Sequence, residues 1–343
     1  MHCGAAVKHA IVNPNVALRN TGRLYFCFRS GLASAPASLV SQKSYGGSCA
    51  CPRLNTLSRS GVRCYAAQQA PPADYARTDF TSDVVKHARI EAQRIPCLSD
   101  NYAWLLTDTE TGKTAVVDPS ESKPVQAVLE QRDRKLDFIL NTHHHWDHTG
   151  GNIELKEKYG SKIVGPAADH DRIPGIDTAL ADGDTWDFGS LKMHVFDTPG
   201  HTKGHITLWF PEAEALFPGD TLFVLGCGRL FEGSPKQMWS SLRKMIPLPP
   251  STRIFCAHEY TQSNARFALH VNPDSTAMQQ RKREIDAMRA QGIATVPSLL
   301  RQELECNPFL RPGDPGIRRS LGIPADASDE DAFAAIRQAK DKF

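Results

Sequence analysis

Histidines are concentrated in one short stretch of the chain, which holds four of its thirteen histidines within six consecutive positions. This stretch contributes five candidate ligands: His143, His144, His145, Asp147 and His148. Side chains two positions apart in extended backbone point the same way, so His143 and His145 can face one metal ion while His144 points elsewhere. Asp147 and His148 follow, and they can turn toward a second metal ion beside the first. Imidazole and carboxylate groups suit zinc, iron or manganese, so the spacing predicts a metal centre.

The flanking segments predict that this cluster lies on a loop between a strand and a helix. The mostly apolar run Leu136–Leu140 predicts a buried strand. Gly150 and Gly151 then open the segment Ile153–Tyr159, which is amphipathic and predicts a helix. Loops of this kind hold binding and catalytic residues in α/β folds.

Three further candidate ligands each follow a predicted strand. His201 comes after the strand predicted over 191–196, Asp220 after 213–217, and His258 after 253–255. Because the ends of neighbouring strands meet at one edge of a sheet, a single edge can gather these side chains with the first cluster.

The remaining pattern predicts many short strands with interspersed helices up to about residue 255, and mainly helices afterwards. In the first part of this body, strands are predicted over 88–95, 102–107 and 114–117, and a helix is predicted over 123–132. Later predictions are a charged helix over 275–291, a short helix over 297–305, and a last helix that Ser328 caps and that ends near Asp341. The sequence therefore predicts a mixed α/β body followed by a smaller α-helical region.

The N-terminal region has a composition of its own. The first 73 residues hold eight basic residues and no Asp or Glu, and they lack the compact apolar core of a secretory signal. We therefore predict that residues 1–70 form a disordered transit peptide and that residues 71–87 form a linker. The mitochondrion is the predicted destination and the chloroplast the alternative, because this composition does not separate them. A disordered extension with a local interaction role is the other interpretation.

The composition of the chain after residue 73 argues against several classes of partner. It holds all 38 acidic residues and only 32 of the 40 basic residues, so it has no obvious nucleic-acid footprint. The chain has no run of about 18 apolar residues, so no membrane span is expected. Irregular spacing argues against a disulfide framework for the cysteines after the N-terminal region, which are Cys97, Cys227, Cys256 and Cys306. We expect a monomer that acts on a small molecule.

Together the motifs resemble those of the metallo-β-lactamase superfamily. They are HxHxDH in the first cluster, TPGHTxGH over 198–205, GDTLF over 219–223 and HEYT over 258–261. Within that superfamily the chain is similar to the glyoxalase II (hydroxyacylglutathione hydrolase) family over about residues 88–343, including 95–102, 227–233 and the tail 337–341. The resemblance implies an α+β fold. An αββα metallo-β-lactamase sandwich would form a catalytic domain over 88–258, and a smaller α-helical domain over 259–343 would bind glutathione.

The resemblance also implies which residues hold two divalent metal ions. One ion would be bound by His143, His145 and His201, the other by Asp147, His148 and His258, and both by Asp220. A carboxylate can bridge two cations because it has two oxygens, which a neutral imidazole cannot do. Asp147 and Asp220 would be the catalytic residues, and a metal-bridging hydroxide would be the nucleophile, so no cysteine nucleophile is needed. Zinc is expected, with iron or manganese as alternatives. Neither His144 nor His205 is expected to bind metal: His144 faces away by alternation, and His205 is expected to orient a ligand or to pack beneath the site.

Members of this family hydrolyse S-D-lactoylglutathione to D-lactate and glutathione, the second step of methylglyoxal detoxification. The residues that match the family's substrate contacts are Arg229, Phe231, Tyr260, Arg337 and Lys340. Arg337 and Lys340 are three apart on the last predicted helix, so they share a face. Position alone would favour a role in complementing the helix dipole, but the resemblance implies that they bind the glycine carboxylate end of glutathione. Phe231 stands where several members carry Tyr, which removes a possible hydrogen bond worth about 1 kcal/mol. Ala257 replaces the Gly that is usual before the ligand histidine.

Two alternative functions remain open at this point. A sulfur dioxygenase of the same superfamily would use one iron ion on glutathione persulfide and would share the HxHxDH motif. The complete second set of ligands, together with Arg337 and Lys340, favours the hydrolase. A non-catalytic metal-binding homologue is the alternative from another class, and the retention of every ligand argues against it.

Overall fold

The structure, a computed structural model, describes residues 83–343. The predicted transit peptide and residues 71–82 of the predicted linker lie outside the described residues. The linker prediction is wrong for its last four residues, because strand β1 (Val84–His87) pairs antiparallel with β2 (Ile90–Cys97). Ala88 takes a φ of +49° in the turn between them, which is typical of a tight turn, so β2 starts two residues later than predicted.

The first sheet runs in chain order. After β1 and β2 it contains β3 (Asn101–Asp108), β4 (Thr114–Val117), β5 (Phe138–Leu140), β6 (Lys162–Pro166) and β7 (Thr178–Leu180). Strands β1 to β4 pair antiparallel and β4 to β7 pair parallel. Parallel neighbours need crossover connections, which are α1 (Ser122–Gln131) between β4 and β5, and α2 (Trp146–Thr149) with α3 (Asn152–Tyr159) between β5 and β6. The ends of β4 and β5 therefore lie side by side at the edge where the histidine cluster begins.

The second sheet begins with β8 (Thr185–Phe188), β9 (Leu191–Asp197), β10 (Ile206–Phe210) and β11 (Ala215–Phe217). In the chain, β11 is followed by a separate two-stranded hairpin, formed by β12 (Leu222–Phe223) and β13 (Gly226–Cys227). The last two strands of the second sheet are β14 (Arg253–Ile254) and β15 (Ser298–Leu299). Its spatial order is β15-β14-β11-β10-β9-β8. The helix predicted to begin at Pro297 begins instead at Leu300, because the two preceding residues pair with β14.

The other helices are α4 (Pro235–Met245), α5 (Thr261–Val271), α6 (Thr276–Ala290), α7 (Leu300–Cys306), α8 (Pro315–Leu321) and α9 (Asp329–Lys342). Four of them start after a residue whose side chain accepts a hydrogen bond from the first turn, namely Ser234, Ser275, Asp314 and Ser328. The predicted cap at Ser328 is thereby confirmed. Within residues 83–343, no helix has the length and apolar character needed to cross a bilayer.

Strand β3 is buried along its whole length because both faces of the first sheet are covered. Side chains alternate between the faces of a strand. Trp104 and Leu106 join the core that includes Leu208 of the second sheet, whereas Leu105 packs on the other side in the core that includes Val125 of α1. The predicted α+β sandwich with a C-terminal helical part is confirmed.

Candidate metal centre

The first histidine cluster lies where β5 ends and α2 begins. Two glycines let this loop approach the chain that follows β4. A Cβ at Gly150 would overlap the Ser120 carbonyl oxygen, and one at Gly151 would lie 2.9 Å from the Pro119 carbonyl oxygen. The Gly151 N–H donates to that Pro119 carbonyl at 2.8 Å. Close backbone approach therefore explains the pair of glycines after the cluster.

His143, His145 and His201 bring three ring nitrogens together. His145 Nδ1 lies 3.0 Å from His143 Nε2 and 3.0 Å from His201 Nε2. Their three ligand atoms all lie within 4.8 Å of one another. The structure thus assembles the first predicted set of ligands from two loops that are far apart in the sequence.

Asp147, His148 and His258 form a second group, whose ligand atoms also lie within 4.8 Å of one another. Asp147 Oδ2 is 3.5 Å from His148 Nε2 and 3.6 Å from His258 Nε2. Asn101 Nδ2 donates to the same oxygen of Asp147 at 3.1 Å and fixes the orientation of this carboxylate. The second predicted set is therefore also brought together, with an asparagine that sequence reasoning did not assign to the site.

Asp220 lies between the two groups and presents one carboxylate oxygen to each. Its Oδ2 is 3.4 Å from His201 Nε2, and its Oδ1 is 3.5 Å from His148 Nε2 and 3.4 Å from His258 Nε2. This carboxylate is buried, and Oδ1 has no hydrogen-bond partner within the described part of the chain. A buried oxygen without a partner is costly, and a cation between it and the histidines would satisfy it. The donor set therefore fits two divalent metal ions bridged by Asp220.

Hydrogen bonds on the outer side of the rings determine which nitrogen points inward. His201 Nδ1 donates to the Arg229 carbonyl oxygen at 2.9 Å, and His258 Nδ1 donates to Asp100 Oδ1 at 2.8 Å. In both rings this leaves Nε2 with a free lone pair that faces Asp220. Such outer partners fix the tautomer of a metal-binding histidine.

Asp118, directly after β4, supports two ligand histidines. The Thr142 hydroxyl donates to Asp118 Oδ2 at 2.7 Å and therefore accepts from His143 Nδ1 at 3.0 Å. Asp118 Oδ2 also lies 3.2 Å from His148 Nδ1. Asp118, His143 and His148 could themselves form a metal group, but both oxygens of Asp118 already accept from Thr142. Sequence reasoning missed Asp118, although its position after a strand at the same sheet edge was an available signal.

Burial and charge give the two groups different proton affinities in the metal-free chain. Burial lowers the pKa of His143 well below its ordinary value and lowers that of His145 to about 4. Burial also opposes protonation of His148, but the carboxylates of Asp220 and Asp118 outweigh it and raise the pKa of His148 to about 9. The first group is therefore neutral at pH 7, whereas the second must lose a proton before it binds a cation.

The second metal ion is expected to dissociate before the first as the pH falls. Since the pKa of His148 is about 9, each unit of decrease below that pH should weaken binding of the second ion about tenfold. The first group, with its lowered pKa values, should retain its ion over the same range. Atomic emission spectroscopy after equilibration with a chelator between about pH 8 and pH 6 would count the ions per chain. Parallel loss of both ions would contradict this expectation.

His144 and His205 lie outside the two ligand groups, as expected. His144 turns away from the metal ligands, and its Nδ1 lies 2.8 Å from Asp169 Oδ2. His205 is buried beneath the centre, where its Nε2 accepts from the Asp220 N–H at 3.1 Å and its Nδ1 lies 2.9 Å from the Thr198 hydroxyl. His205 therefore holds the backbone of the bridging aspartate.

A pocket of about 480 Å³ opens beside the metal ligands. All five predicted substrate contacts line it. The full lining is His145, Asp147, His201, Asp220, Phe223, Cys227, Arg229, Phe231, His258, Tyr260, Ser263, Asn264, Arg337 and Lys340. Sequence reasoning did not assign Phe223, Ser263 or Asn264 to it. Burial raises the pKa of the Cys227 thiol to about 11, so this thiol is a poor nucleophile at neutral pH.

Two aromatic rings connect the metal ligands to the pocket. Tyr260 stacks on His258, with 4.6 Å between the ring centroids. Phe231 packs edge-on against His145 and His201, at centroid distances of 5.8 and 5.2 Å, yet remains 62% exposed. An exposed ring at the mouth of a pocket is suited to contact with a bound ligand.

Arg337 and Lys340 form the cationic end of the pocket. Arg337 is only 4% exposed, and its guanidinium donates to the Cys227 carbonyl oxygen at 3.1 Å and to Asp341 Oδ1 at 2.7 Å. Lys340 Nζ makes long contacts with Ser263, at 3.4 Å to its hydroxyl, and lies 5.3 and 5.4 Å from the ring centroids of Phe267 and Phe343, but no ion pair of it is seen among the described residues. Burial, followed by the charge of Arg337, lowers the pKa of Lys340 to about 8. Lys340 is therefore the more available cation for a ligand carboxylate, while Arg337 also holds the pocket wall.

Both parts of the chain match known families. Residues 99–258 match the metallo-beta-lactamase superfamily, and residues 259–343 match the hydroxyacylglutathione hydrolase C-terminus. Hydroxyacylglutathione hydrolases from Methylococcus capsulatus and Ruegeria pomeroyi are 52% and 50% identical to the chain over 254 residues, which covers 74% of this chain and 99% of each relative.

Solved structures share the fold. ETHE1 from Myxococcus xanthus superposes with a TM-score of 0.52 at 22% identity, covering 72% of this chain and 89% of its own. A metallo-beta-lactamase from Staphylococcus aureus subsp. aureus COL gives a TM-score of 0.51 at 18% identity, covering 74% of this chain and 72% of its own. At these identities the likeness concerns the fold alone.

Proposed function

The chain belongs to the hydroxyacylglutathione hydrolase family of the metallo-β-lactamase superfamily, and we infer from this that it is a thioester hydrolase that converts S-D-lactoylglutathione and water to D-lactate and glutathione. The observation that carries this inference is the position of Asp220. Its oxygens lie 3.4 Å from His201 Nε2 and 3.5 Å from His148 Nε2, on the wall of a pocket that also holds Lys340.

Two divalent ions bound by the seven ligands would supply Lewis acidity, which lowers the pKa of water and polarises a carbonyl group. The chain's own contribution is to fix the ligands in advance. Asn101 orients Asp147, His205 holds the backbone of Asp220, and Asp118 supports His143. Ligands that are already oriented need little reorganisation during the reaction.

The pocket orients the substrate through its charges and through its aromatic wall, which contains the rings of Phe231 and Tyr260. Lys340 and the exposed Arg229 attract the carboxylates of glutathione, so the thioester would point toward Asp220. Burial and the nearby charge of Asp100 raise the pKa of Tyr260, so its hydroxyl stays protonated and can donate to the substrate. The glutathione thiolate needs little help from an acid to leave, because the pKa of a thiol is about 8.5.

Two assays on the purified chain test the function. We expect metal-loaded protein to hydrolyse S-D-lactoylglutathione, which is measured as a loss of the absorbance of the thioester. We expect the same protein to consume no oxygen when it is given glutathione persulfide. Oxygen consumption without hydrolysis would favour the sulfur dioxygenase instead. If protein that carries two metal ions reacted in neither assay, the enzyme proposal would be wrong and the chain would be a non-catalytic homologue.

Restoring a hydroxyl at the mouth of the pocket is expected to improve substrate binding. Phe231→Tyr adds one hydrogen-bonding group worth about 1 kcal/mol, so the KM for S-D-lactoylglutathione should fall about fivefold with kcat unchanged. Steady-state kinetics measure both constants. Phe231→Leu, which adds no hydroxyl, is the control and should not lower KM; an equal improvement in both variants would show that the hydroxyl is not the cause.

We further propose that zinc occupies both positions, with iron or manganese as alternatives, since imidazole and carboxylate ligands accept all three metals. We also propose that the chain is a monomer. Elemental analysis and light scattering of the purified protein test these two proposals. Iron or manganese as the main metal would contradict the zinc proposal, and the mass of a dimer would contradict the monomer proposal.

Residues 1–70 are proposed to direct the chain to the mitochondrion, with the chloroplast as the alternative. The support is compositional, because the first 73 residues contain eight basic residues and no acidic ones. A fluorescent protein fused behind residues 1–87 should accumulate in mitochondria. Cytosolic fluorescence would contradict the proposal, and fluorescence in plastids would favour the alternative.

A further inference from the structure

The hairpin β12–β13 lies in the sequence between the bridging Asp220 and the pocket residue Arg229. Residues 223–226 form its tip. Within the tip, Leu225 has a φ of +56°, a left-handed conformation that is uncommon for a residue with a branched side chain. Such a conformation is strained and persists only when the surrounding structure supports it.

Glu303 of α7 holds this residue directly. The Glu303 side chain is fully buried, and its Oε2 accepts from the Leu225 N–H at 2.6 Å and from Asn307 Nδ2 at 3.1 Å. Glu303 does not line the pocket and contacts no metal ligand in these bonds. Its carboxylate is therefore used to fix backbone that belongs to the catalytic domain.

Two asparagines of the C-terminal helical region complete the support. Asn307 Nδ2 donates to the carbonyl oxygens of Phe223 at 3.2 Å and Gly226 at 3.1 Å. Asn264 Nδ2 of α5 donates to the Val224 carbonyl oxygen at 3.0 Å. Every residue of the hairpin tip is thus bonded to a side chain from the C-terminal helices.

The supported hairpin presents two groups to the pocket. The Phe223 ring packs edge-on against Tyr260 and His258, with centroid distances of 5.3 and 5.8 Å. The Cys227 carbonyl oxygen accepts from the Arg337 guanidinium at 3.1 Å. A shift of the hairpin would therefore move both the aromatic wall and the cationic end of the pocket.

We propose that Glu303, acting with Asn307, is a positioning residue for glutathione binding, which holds the hairpin tip so that the pocket wall and the cationic end keep their spacing. This inference rests on the proposed function and deepens it. Three of the seven candidate ligands have supports outside the hairpin, since His205 holds the Asp220 backbone, Asn101 orients Asp147 and the Thr142 hydroxyl accepts from His143. Loss of the Glu303 contact should consequently weaken substrate binding much more than it slows the chemical step.

Three substitutions separate this role from a general structural one. Glu303→Gln keeps an acceptor oxygen for the Leu225 N–H, whereas Glu303→Met removes the acceptor and fills a similar volume. Glu305 is an exposed carboxylate on the same helix, so Glu305→Met is the matched control. Metal content, KM and kcat would be measured for each purified full-length variant with S-D-lactoylglutathione.

We expect Glu303→Met to raise KM about tenfold, with kcat within about threefold of the original value and two metal ions retained. Glu303→Gln and Glu305→Met should stay within about twofold in KM. Should Glu303→Met fail to fold by circular dichroism, Glu303→Asp takes its place, because it withdraws the acceptor by one methylene. An unchanged KM, an equal loss in Glu303→Gln, or joint loss of metal and kcat would overturn the proposal.

Calorimetric binding of S-methylglutathione separates this proposal from the proposed function. This unreactive thioether should bind more weakly to Glu303→Met than to the original chain, and equally well to Glu305→Met. If the original chain binds it without hydrolysing the thioester, the function is wrong while the positioning role is still decided by the binding series. Equal affinity in all variants would overturn the positioning role.

Discussion

Asp220→Ala is expected to slow hydrolysis of S-D-lactoylglutathione by at least about 10³-fold, or about 4 kcal/mol in activation free energy. Asp220 presents an oxygen to the inward-facing nitrogens of both histidine groups, at 3.4 Å from His201 Nε2 and 3.5 Å from His148 Nε2. Without it, each group keeps three ligands but the two ions lose their common one. The variant should therefore also contain fewer than two metal ions per chain.

The control for this change is Asp187→Ala, which removes an exposed carboxylate of β8 that pairs with Lys192. It should retain full activity and both ions. The kinetics and the elemental analysis are read together. If Asp220→Ala kept two ions and its original rate, the bridging assignment would be wrong.

Lys340→Met is expected to raise the KM for S-D-lactoylglutathione about thirtyfold, or about 2 kcal/mol, with a smaller change in kcat. Lys340 is half-buried in the pocket wall, and its long contacts with Ser263 leave its charge available to a ligand. Burial and the neighbouring Arg337 lower its pKa to about 8. The ammonium is therefore charged below that pH and loses its charge above it, so the KM of the original chain should rise as the pH passes about 8.

Lys342→Met is the matched control, because Lys342 lies on the same helix and is exposed. It should change neither KM nor its dependence on pH. In Lys340→Met the rise in KM above about pH 8 should disappear, since the titrating group is gone. A variant with unchanged KM, or one that keeps the same pH profile, would rule out Lys340 as the carboxylate-binding cation.

The clustering of the candidate metal ligands could be expected from the sequence, because local pattern places them after strands and the family resemblance divides them into two groups. His143 and His145 follow β5 of the first sheet, whereas His201 follows β9 of the second, so the prediction that a single sheet edge gathers every ligand is wrong and both sheets contribute. The direction of His144 follows from alternation in extended backbone, and the structure agrees. Local spacing is sufficient when the chemistry lies directly on the ends of regular elements.

The outer supports of those ligands could not be predicted in the same way. Asp118 reaches His148 and Thr142 across the β4–β5 pairing, and Asp100 reaches His258 from a turn far earlier in the chain. The position of Asp118 at a strand end was a signal, but the partners of both aspartates are set by contacts between distant segments, which local spacing does not reveal.

The burial and pairing of the two candidate substrate-binding cations on the last helix also could not be predicted from the sequence. Helical spacing places Arg337 and Lys340 on one face, but it does not reveal that Arg337 is buried and donates to the carbonyl oxygen of Cys227, which is 110 residues away. The partial pairing of Arg337 and the greater availability of Lys340 follow only from the packed structure. The strand at Val84–His87 was missed for a similar reason, since its stability comes from pairing with β2.

Stepwise return of zinc to metal-stripped protein tests the two-metal thioester hydrolase most directly. Zinc would be added in fractions of an equivalent per chain, with the rate of S-D-lactoylglutathione hydrolysis recorded after each addition. We expect little activity up to one equivalent and a steep rise to the full rate between one and two, because the neutral first group fills before the second. Full activity at one equivalent, or in the stripped protein, would contradict a reaction that depends on both metal ions.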